Sequence, residues 1–241
     1  MKKILICTPT YNESENIKNF CKQIYKIKNI DLLVIDDNSP DGTSEIIMKL
    51  KKKYNRLFLL KREKKMGIGS AIRAGMNYAI KNNYYALITM DADLSHQPKE
   101  IPSFIKKIQN HDFVTGSRYM IGGKSNYKGY RDFISRLANK SCRILLKMPF
   151  KEYTTSYRAY NKKSLKILEN AVLWSDGYSS QIEFIFYIYQ AKLKCLEIPI
   201  DFQDRTRGNS KIPRLQAFYG CCKLIELFLK RITFSKKKNY N

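Results

Sequence analysis

Two aspartates stand one residue apart behind a short apolar run, in the arrangement best suited to chemistry anywhere in this chain. The run from residue 85 to residue 90 is typical of a buried strand, and Asp91 and Asp93 follow it directly. Side chains at positions i and i+2 of an extended chain point the same way, so both carboxylates are expected to face one ligand. Because Mg²⁺ binds through one or two carboxylates together with substrate phosphates, the pair predicts a metal–diphosphate site. The structural alternative is a capped turn before a helix that begins after Pro98.

The elements that must position these aspartates alternate between strand and helix along the first half of the chain. Apolar runs bounded by turn residues predict four strands, at residues 4–8, 32–35, 57–60 and 85–90. Helical periodicity predicts helices at residues 14–25 and 43–54, with Ser14 and Thr43 as their N-terminal caps, and a third helix that follows Gly69 and ends at about residue 81. This order implies right-handed crossovers and an α/β fold with a mostly parallel sheet flanked by helices.

Three polar segments follow the first, second and fourth of these strands. They are Pro9-Thr-Tyr-Asn-Glu13, Asp36-Asp37 and Asp91-Ala-Asp93. In an open parallel sheet, ligands bind beyond the carboxyl ends of the strands. We therefore expect the acidic side chains of these loops to gather at one edge of the sheet, in a chain that is otherwise short of acid.

The second half of the chain is less regular. Its pattern predicts strands at residues 113–118, 156–160 and 193–200, and helices at residues 132–147, 163–170 and 179–191. A polar, basic loop at residues 204–211 precedes an amphipathic helix with a basic side at residues 212–234. Such a helix either lies in a membrane interface or packs on the domain, and the sequence leaves both open. We expect a catalytic domain at residues 1–211 and a C-terminal helix with a basic tail at residues 212–241.

The composition fits one domain with a sizeable core and a polyanionic partner. The chain has 241 residues, of which 44% are hydrophobic and 12% aromatic, and this argues against disorder. The formal net charge of +24 leaves nucleic acid, an anionic membrane surface and phosphorylated substrates open as partners. Six cysteines without a CxxC pair and only two histidines disfavour a structural zinc site, so reduced thiols in a cytosolic protein are the simplest interpretation.

We expect neither a targeting segment nor a membrane-spanning one. Lys2 and Lys3 are followed by only a few apolar residues before Thr10, unlike a secretory signal. No stretch approaches the roughly 20 apolar residues that a spanning helix needs. Any contact with a membrane is therefore expected to be peripheral.

Three common catalytic signatures are missing from the sequence. Gly67-x-Gly69 does not follow the first strand, where a dinucleotide-binding fingerprint would stand. The chain has no Walker A motif and no Gly-x-Ser-x-Gly nucleophile elbow. Hydride transfer, P-loop phosphoryl transfer and acyl hydrolysis are therefore disfavoured.

The motifs taken together resemble one enzyme family. Four ordered segments carry the resemblance: Pro9 to Glu13, Ile35 to Thr43, Met90 to Pro98 and Thr115 to Tyr119. It extends to roughly residues 4–215 through Arg131-x-x-x-Ser135, Ala138-Asn139, Asp204-Arg205 and Ser210-Lys211. The set is similar to that of dolichyl-phosphate mannose synthase and its bacterial polyprenyl-phosphate relatives. The resemblance implies a GT-A fold and transfer of a sugar, usually mannose from GDP-mannose, to a polyprenyl (dolichyl or undecaprenyl) phosphate with inversion.

The resemblance also implies a role for each matching residue. Residues that would surround the donor nucleoside are Pro9, Tyr11, Glu13, Ile35 and Asp37. Residues that would meet the sugar and diphosphate are Asp91, Ala92 and Asp93, with Asp93 the leading ligand of Mg²⁺ or Mn²⁺ and Asp91 the second. Residues that would bind the acceptor phosphate are Arg118, Arg131 and Ser135. Arg205 and Lys211, in the basic loop, would close over the donor diphosphate.

One segment departs from the family pattern. The chain carries Glu152-Tyr-Thr-Thr-Ser-Tyr-Arg158 where a sequence like Asp-x-Thr-x-Gly-Phe-Arg is more usual. Ser156 takes the place of glycine, which leaves open the local backbone and the preferred sugar or polyprenol. Glu183 is an alternative candidate for a catalytic base, and we expect it to be structural instead.

The reaction that the resemblance implies needs no dedicated base. A lipid monophosphate carries between about −1 and −2 charge near neutral pH, so its oxygen is already a nucleophile. The departing diphosphate must be neutralised, by Mg²⁺ or Mn²⁺ with Arg205 and Lys211, and the acceptor phosphate must be aligned, for which the planar fork of arginine is suited. Because a long isoprenoid stays in the bilayer, we expect a peripheral protein on the cytoplasmic face of a membrane, with a membrane-anchoring protein as an optional partner.

Two other functions stay open on the sequence alone. Within the same class, the enzyme could transfer glucose or another sugar to undecaprenyl phosphate. From a different class, a basic nucleic-acid-binding module would also explain the charge. Acids gathered at strand ends and the lack of a nucleic-acid-binding motif argue against that module, so no nucleic-acid partner is expected.

Overall fold

The strands and helices follow the predicted alternation. A computed structural model describes residues 2–127, 129–204 and 216–238. The strands are β1 (Ile4–Thr10), β2 (Ile30–Asp36), β3 (Leu57–Lys61), β4 (Ala86–Thr89), β5 (Phe113–Ser117), β6 (Lys124–Ser125), β7 (Arg158–Asn161), β8 (Cys195–Pro199) and β9 (Asp201–Phe202). The helices are α1 (Ser14–Ile24), α2 (Thr43–Lys51), α3 (Ile68–Lys81), α4 (Ile101–Lys107), α5 (Tyr130–Leu146), α6 (Lys162–Asn170), α7 (Ser180–Gln190) and α8 (Gln216–Lys238).

Seven strands form one sheet in the order β3-β2-β1-β4-β7-β5-β8, and β6 pairs with β9 in a separate ribbon. β1 runs parallel to β2 and β4, and β2 runs parallel to β3. β7 is antiparallel to both β4 and β5, whereas β5 and β8 are parallel. All strands of this sheet except β7 therefore point the same way, and the predicted mostly parallel α/β sheet is confirmed.

The sheet is covered on both faces, which is why its central strands are apolar throughout. Along β1, Leu5 and Cys7 belong to one hydrophobic cluster and Ile4 and Ile6 to the other. The first cluster includes residues of α3, α5, α6, α7 and α8, and the second includes residues of α1, α2 and α4. Because the side chains on both faces are buried, these strands lack the alternation of apolar and polar residues that a half-exposed strand would show.

The two predicted helix caps were wrong. Ser14 and Thr43 are the first residues of α1 and α2, and the cap positions belong to Glu13 and Gly42. Gly42 has a φ of 84°, in the left-handed region that favours glycine. The Thr43 hydroxyl instead accepts the Glu13 backbone N–H at 2.9 Å and donates to Asp41 at 2.6 Å. It therefore joins the loop after β1 to the loop after β2.

The C-terminal helix packs on the domain along one face. Lys223, Leu224 and Leu227 of α8 are buried, and the helix contacts α5 and α7. Residues 212–215 of the predicted helix lie outside the described part of the chain. Among the described residues, no helix combines the length and the apolar character needed to cross a membrane.

Candidate active site

Loops with most of the predicted donor-site residues leave the sheet at one edge, because β1, β2 and β4 are adjacent and parallel. Backbone hydrogen bonds tie the strand ends together: Asp37 N–H donates to Thr10 at 3.0 Å, and Met90 N–H donates to Cys7 at 3.1 Å. These bonds bring the loop after β2 and the loop after β4 alongside β1. The three loops predicted to share one edge do so, and the gathering of their acidic side chains stays a prediction.

Asp91 and Asp93 lie just beyond β4, but not on an extended chain. The strand ends at Thr89, and Ala92 and Asp93 already form a turn. The extended backbone expected for this pair was therefore wrong, and the expectation that both carboxylates face one ligand stays a prediction. Asp91 keeps 33% of its side chain exposed, whereas Ala92 and Asp93 are buried. One oxygen of Asp93 accepts both the backbone N–H of Ser95, at 3.0 Å, and its hydroxyl, at 2.6 Å.

The carboxylates at this loop suit a hard divalent cation only when substrate oxygens complete the coordination. Within the described residues, no group of three or more His, Cys, Asp or Glu side chains is arranged to hold a metal. Asp91 and Asp93 would contribute two carboxylates, and diphosphate oxygens and water would complete the coordination. This is the usual way in which Mg²⁺ is bound with nucleotide substrates.

Asp37, predicted to bind the nucleoside, is held by the loop that follows β3. It forms an ion pair with Arg62, and one of its oxygens accepts the backbone N–H groups of Met66, at 2.9 Å, and Gly67, at 3.3 Å. Gly67 has a φ of 89°, and a Cβ at this position would lie 2.4 Å from the carbonyl oxygen of Asp176. Gly67 therefore serves a left-handed turn and a close backbone approach.

The other residues predicted around the nucleoside differ in exposure. Pro9 and Ile35 are register partners across β1 and β2, and Ile35 is fully buried in the core, so its side chain faces away from solvent. Glu13 is buried and accepts a hydrogen bond from Asn16 at 2.8 Å. Tyr11 is half-buried, and its ring centroid lies 4.3 Å from the ammonium group of Lys65.

Arg118, a predicted acceptor-phosphate ligand, extends from the end of β5 into a buried ion pair with Glu152. Its Nε donates to Glu152 Oε1 at 2.7 Å and its backbone N–H to Oε2 at 2.7 Å, while Nη2 also contacts Oε1. The side chains are 6% and 0% exposed. Burial by itself lowers the pKa of Arg118, but the Glu152 carboxylate raises that pKa above its usual value. The predicted phosphate ligand is thus a fully charged guanidinium that already has a carboxylate partner.

The structure brings Arg118 and Ser135 together. Arg118 Nη2 lies 3.3 Å from Ser135 Oγ, which also accepts a hydrogen bond from the Tyr119 hydroxyl at 2.7 Å. The rings of Tyr119, Tyr127 and Phe202 surround the guanidinium at 5.1, 5.2 and 4.9 Å from their centroids. Aromatic faces at this distance attract a cation.

The remaining predicted residues are placed only in part. Arg131 lies on α5, four residues before Ser135. Arg205 and Lys211 lie outside the described residues. Glu183 is fully buried in α7 and accepts a hydrogen bond from Lys223 at 3.1 Å, in agreement with the structural role expected for it.

Three residues that hydrogen-bond to predicted site residues were given no role at the site from the sequence: Glu152, Ser156 and His96. Ser156 donates its hydroxyl to Asp91 Oδ1 at 2.6 Å, and His96 Nδ1 accepts the Asp91 backbone N–H at 3.1 Å. Glu152 and Ser156 belong to the segment that departs from the family pattern, and His96 stands inside the aspartate motif. Their places in these two segments were the signals in the sequence that could have pointed to them.

Comparison with known proteins identifies the family. A family model described as Glycosyl transferase family 2 matches residues 5–168. An undecaprenyl-phosphate mannosyltransferase of Micrococcus luteus is 33% identical over 212 residues, which are 87% of this chain and 87% of that protein. A polyprenol monophosphomannose synthase of Mycolicibacterium smegmatis is 33% identical over 215 residues, which are 88% of this chain and 81% of that protein.

Solved structures share the fold at low identity. A crystal structure of a mycobacterial protein superposes with a TM-score of 0.70 at 15% identity, over 95% of this chain and 74% of the other. The mannosyltransferase PcManGT of Pyrobaculum calidifontis, in complex with GDP-Man and Mn²⁺, gives a TM-score of 0.57 at 15% identity, over 96% and 73%. These likenesses confirm the predicted GT-A-like fold. Because the family model matches most of this chain, the chain belongs to glycosyl transferase family 2.

Proposed function

We propose that this glycosyltransferase moves mannose from GDP-mannose to a polyprenyl phosphate, with inversion at the sugar. The observation that carries the proposal is that Asp91 and Arg118 follow β4 and β5, two parallel strands that flank β7 in the sheet. A candidate donor site and a candidate phosphate site therefore open at the same edge. The names of the two relatives, a mannosyltransferase acting on undecaprenyl phosphate and a polyprenol monophosphomannose synthase, support this choice of substrates.

On the donor side, the loops after β1 and β2 would hold the nucleoside, and Asp91, Ala92 and Asp93 would meet the sugar and diphosphate. Asp93 and Asp91 would hold Mg²⁺ or Mn²⁺, which supplies neutralising charge for the diphosphate when bound. Arg205 and Lys211 would add positive charge to the leaving group, an assignment that rests on their place in the motif pattern. The Mn²⁺ and GDP-Man bound to PcManGT support a divalent cation with this fold.

On the acceptor side, Arg118, Ser135 and Arg131 would receive the lipid phosphate. Glu152 already balances the charge of Arg118. The lipid phosphate would therefore accept a hydrogen bond from Arg118 without neutralising an unpaired positive charge. Arg131 would therefore supply most of the net attraction for the phosphate. A phosphate oxygen that carries charge near neutral pH attacks the sugar without a base. This agrees with the structure, in which Glu183, the alternative base candidate, is fully buried.

An exposed apolar stripe on α5 and another on α8 suit contact with a membrane. Each helix exposes a stripe of large apolar side chains at spacings of four, seven and eleven residues, between 49% and 63% exposed: Phe133, Leu137 and Ile144 on α5, and Phe218, Ile225 and Leu229 on α8. Exposed basic residues lie beside the stripe of α5: Arg136, Lys140, Arg143 and Lys147. Apolar area combined with positive charge favours an anionic lipid surface. We infer a peripheral position on the cytoplasmic face of a membrane, where a membrane-anchoring protein could bind the same stripes.

A turnover assay tests the proposal. Purified protein is incubated with GDP-mannose, UDP-glucose or other nucleotide sugars, with Mg²⁺ or Mn²⁺, and with a short polyprenyl phosphate. We expect lipid-linked mannose from GDP-mannose, lost on chelation and in Asp93→Ala but kept in Glu169→Ala, which removes an exposed carboxylate on α6. Product from UDP-glucose alone would favour the glucosyl alternative. Product unchanged by Asp93→Ala would contradict the metal assignment.

A further inference from the structure

The carboxylate of Asp91 has two unequal oxygens. Oδ1 accepts the hydroxyl proton of Ser156 at 2.6 Å, and Ser156 is itself 5% exposed. Oδ2 lies 3.7 Å from His96 Nδ1, which is beyond hydrogen-bond range. Since a third of the Asp91 side chain is exposed, the carboxylate reaches solvent while one oxygen is already committed to the protein.

The neighbouring histidine keeps the second oxygen unengaged. His96 Nδ1 accepts the backbone N–H of Asp91 at 3.1 Å, so that nitrogen carries no proton and cannot donate to Oδ2. The ring proton then belongs on Nε2, where Thr155 Oγ1 lies 3.4 Å away. Tyr157 and Phe202 pack against the ring, with centroids at 5.0 and 5.6 Å. His96 thus fixes the backbone of Asp91 and leaves Oδ2 available.

The segment that contains Ser156 is bonded to the chain on both sides of Asp91. Thr89 Oγ1 donates to the Ser156 carbonyl oxygen at 2.5 Å, and Tyr157 Oη donates to the Gln97 carbonyl oxygen at 3.0 Å. Ser156 is therefore held in place by contacts that do not depend on its own hydroxyl. These contacts hold the backbone of Ser156 within hydrogen-bond reach of Asp91, as a positioning group requires.

We propose that Ser156 is a positioning residue that presents Asp91 as a one-oxygen acceptor for a hydroxyl of the transferred sugar. The inference rests on the proposed function and narrows it: Asp93, the leading ligand there, holds the cation, and Asp91 faces the donor sugar. With one site of Oδ1 taken by Ser156, Oδ2 is the stronger acceptor for a further hydroxyl, so the pair favours one arrangement of sugar hydroxyls. A glycine at position 156, as in the family pattern, would leave Oδ1 without this hydrogen bond.

Binding measurements on Ser156→Ala test the inference. Affinities for GDP-mannose and for GDP are measured separately by calorimetry with Mn²⁺ present. We expect a roughly tenfold loss for GDP-mannose, the size of one hydrogen bond, and a change of less than about twofold for GDP. Ser103→Ala, which removes an exposed serine on α4, should change neither affinity. Equal losses for the two ligands would mean that Ser156 only supports the fold, and would overturn the proposal.

A double substitution separates positioning from general support. In the Asp91→Ala background, Ser156→Ala should cause no further loss of GDP-mannose affinity, because the hydroxyl acts only through the carboxylate. The same loss in both backgrounds would contradict the inference. Unchanged GDP-mannose affinity in Ser156→Ala would sink this inference alone. Failure of the unsubstituted protein to bind any nucleotide sugar would instead sink the proposed function, and the inference with it.

Discussion

Arg118 and Glu152 form an ion pair, almost completely shielded from water, that links the end of β5 to the loop before β7. Removing two charges from water is costly, so such a pair contributes little net stability compared with apolar residues of the same volume. In this structure the pair fixes a guanidinium beside Ser135 at the edge of the sheet. The pair is a scaffold for the acceptor side of the site.

Glu152→Ala should therefore destabilise the protein by about 3–5 kcal/mol, because it leaves the charge of Arg118 buried without a partner. The free energy of unfolding, from urea titration, measures this loss. Glu169→Ala is the matched control, since Glu169 pairs with Lys166 on the exposed side of α6 and should cost less than about 1 kcal/mol. Similar losses in the two variants would show that the Arg118 charge has found another partner.

Arg131→Ala should raise the KM for polyprenyl phosphate about tenfold or more, with little change in the KM for GDP-mannose. The reason is that Arg131 would supply the charge that Arg118 shares with Glu152. Steady-state kinetics with each substrate varied in turn distinguishes the two effects. Lys166→Ala, which removes an exposed cation on α6, should leave both values near those of the unsubstituted enzyme. An effect limited to the donor would refute the role given to Arg131.

Lys223→Ala should loosen α8 from the domain. The ammonium group of Lys223 is buried against Glu183, a fully buried carboxylate on α7, and the loss of this partner should cost about 3 kcal/mol. Relative to the unsubstituted protein, hydrogen exchange should speed up more in residues 218–233 than in β1 and β4. The paired change Lys223→Met with Glu183→Gln removes both charges and should restore most of the protection. No recovery in the pair would mean that charge compensation is not what holds the helix.

Stability should fall between pH 4.5 and pH 7 because of Glu100. Burial raises the pKa of Glu100 from 4.5 to about 7, although the Asp201 backbone N–H bonded to its Oε1 opposes the rise. The folded state therefore holds this proton more tightly than the unfolded state. Its contribution to stability is full below pH 4.5 and is lost as the pH rises through 7.

Glu100→Gln keeps the acceptor oxygen but removes this titration. The difference in Tm between Glu100→Gln and the unsubstituted protein should grow in favour of the variant from pH 4.5 to pH 7.5. Glu169→Gln, at an exposed position, provides the control. A difference in Tm that does not vary with pH would rule out Glu100 as the source.

Leu137→Glu should weaken binding to anionic vesicles severalfold, because it places a charge in the middle of the apolar stripe of α5. Cosedimentation with vesicles that contain an anionic phospholipid measures the effect. Met48→Glu introduces the same change at an exposed position on α2, outside these stripes, and should leave binding unaltered apart from a small electrostatic loss. Equal losses in the two variants would point to net charge rather than to this surface.

The sequence by itself determined the alternating elements and the loops that carry the chemistry. Leu5 and Ile6, and Leu33 and Val34, are apolar in succession because a parallel sheet covered on both faces buries every side chain. That pattern predicted the strands, and the order of the strands predicted which loops share an edge. The ordered motifs were enough to predict the family, because their spacing along the chain is more specific than any single motif.

Only the tertiary structure decided how those loops are completed. β7 runs antiparallel between β4 and β5, and this placement brings Ser156 to Asp91, 65 residues away, and Glu152 to Arg118, 34 residues away. No local periodicity encodes such contacts, because they depend on which strands become neighbours. The predictions for the backbone at Asp93 and for the starts of α1 and α2 were also wrong. The backbone conformation at these positions depends on contacts between loops rather than on nearby residues. Local pattern therefore specified the framework, and packing between distant segments specified the polar geometry of the site.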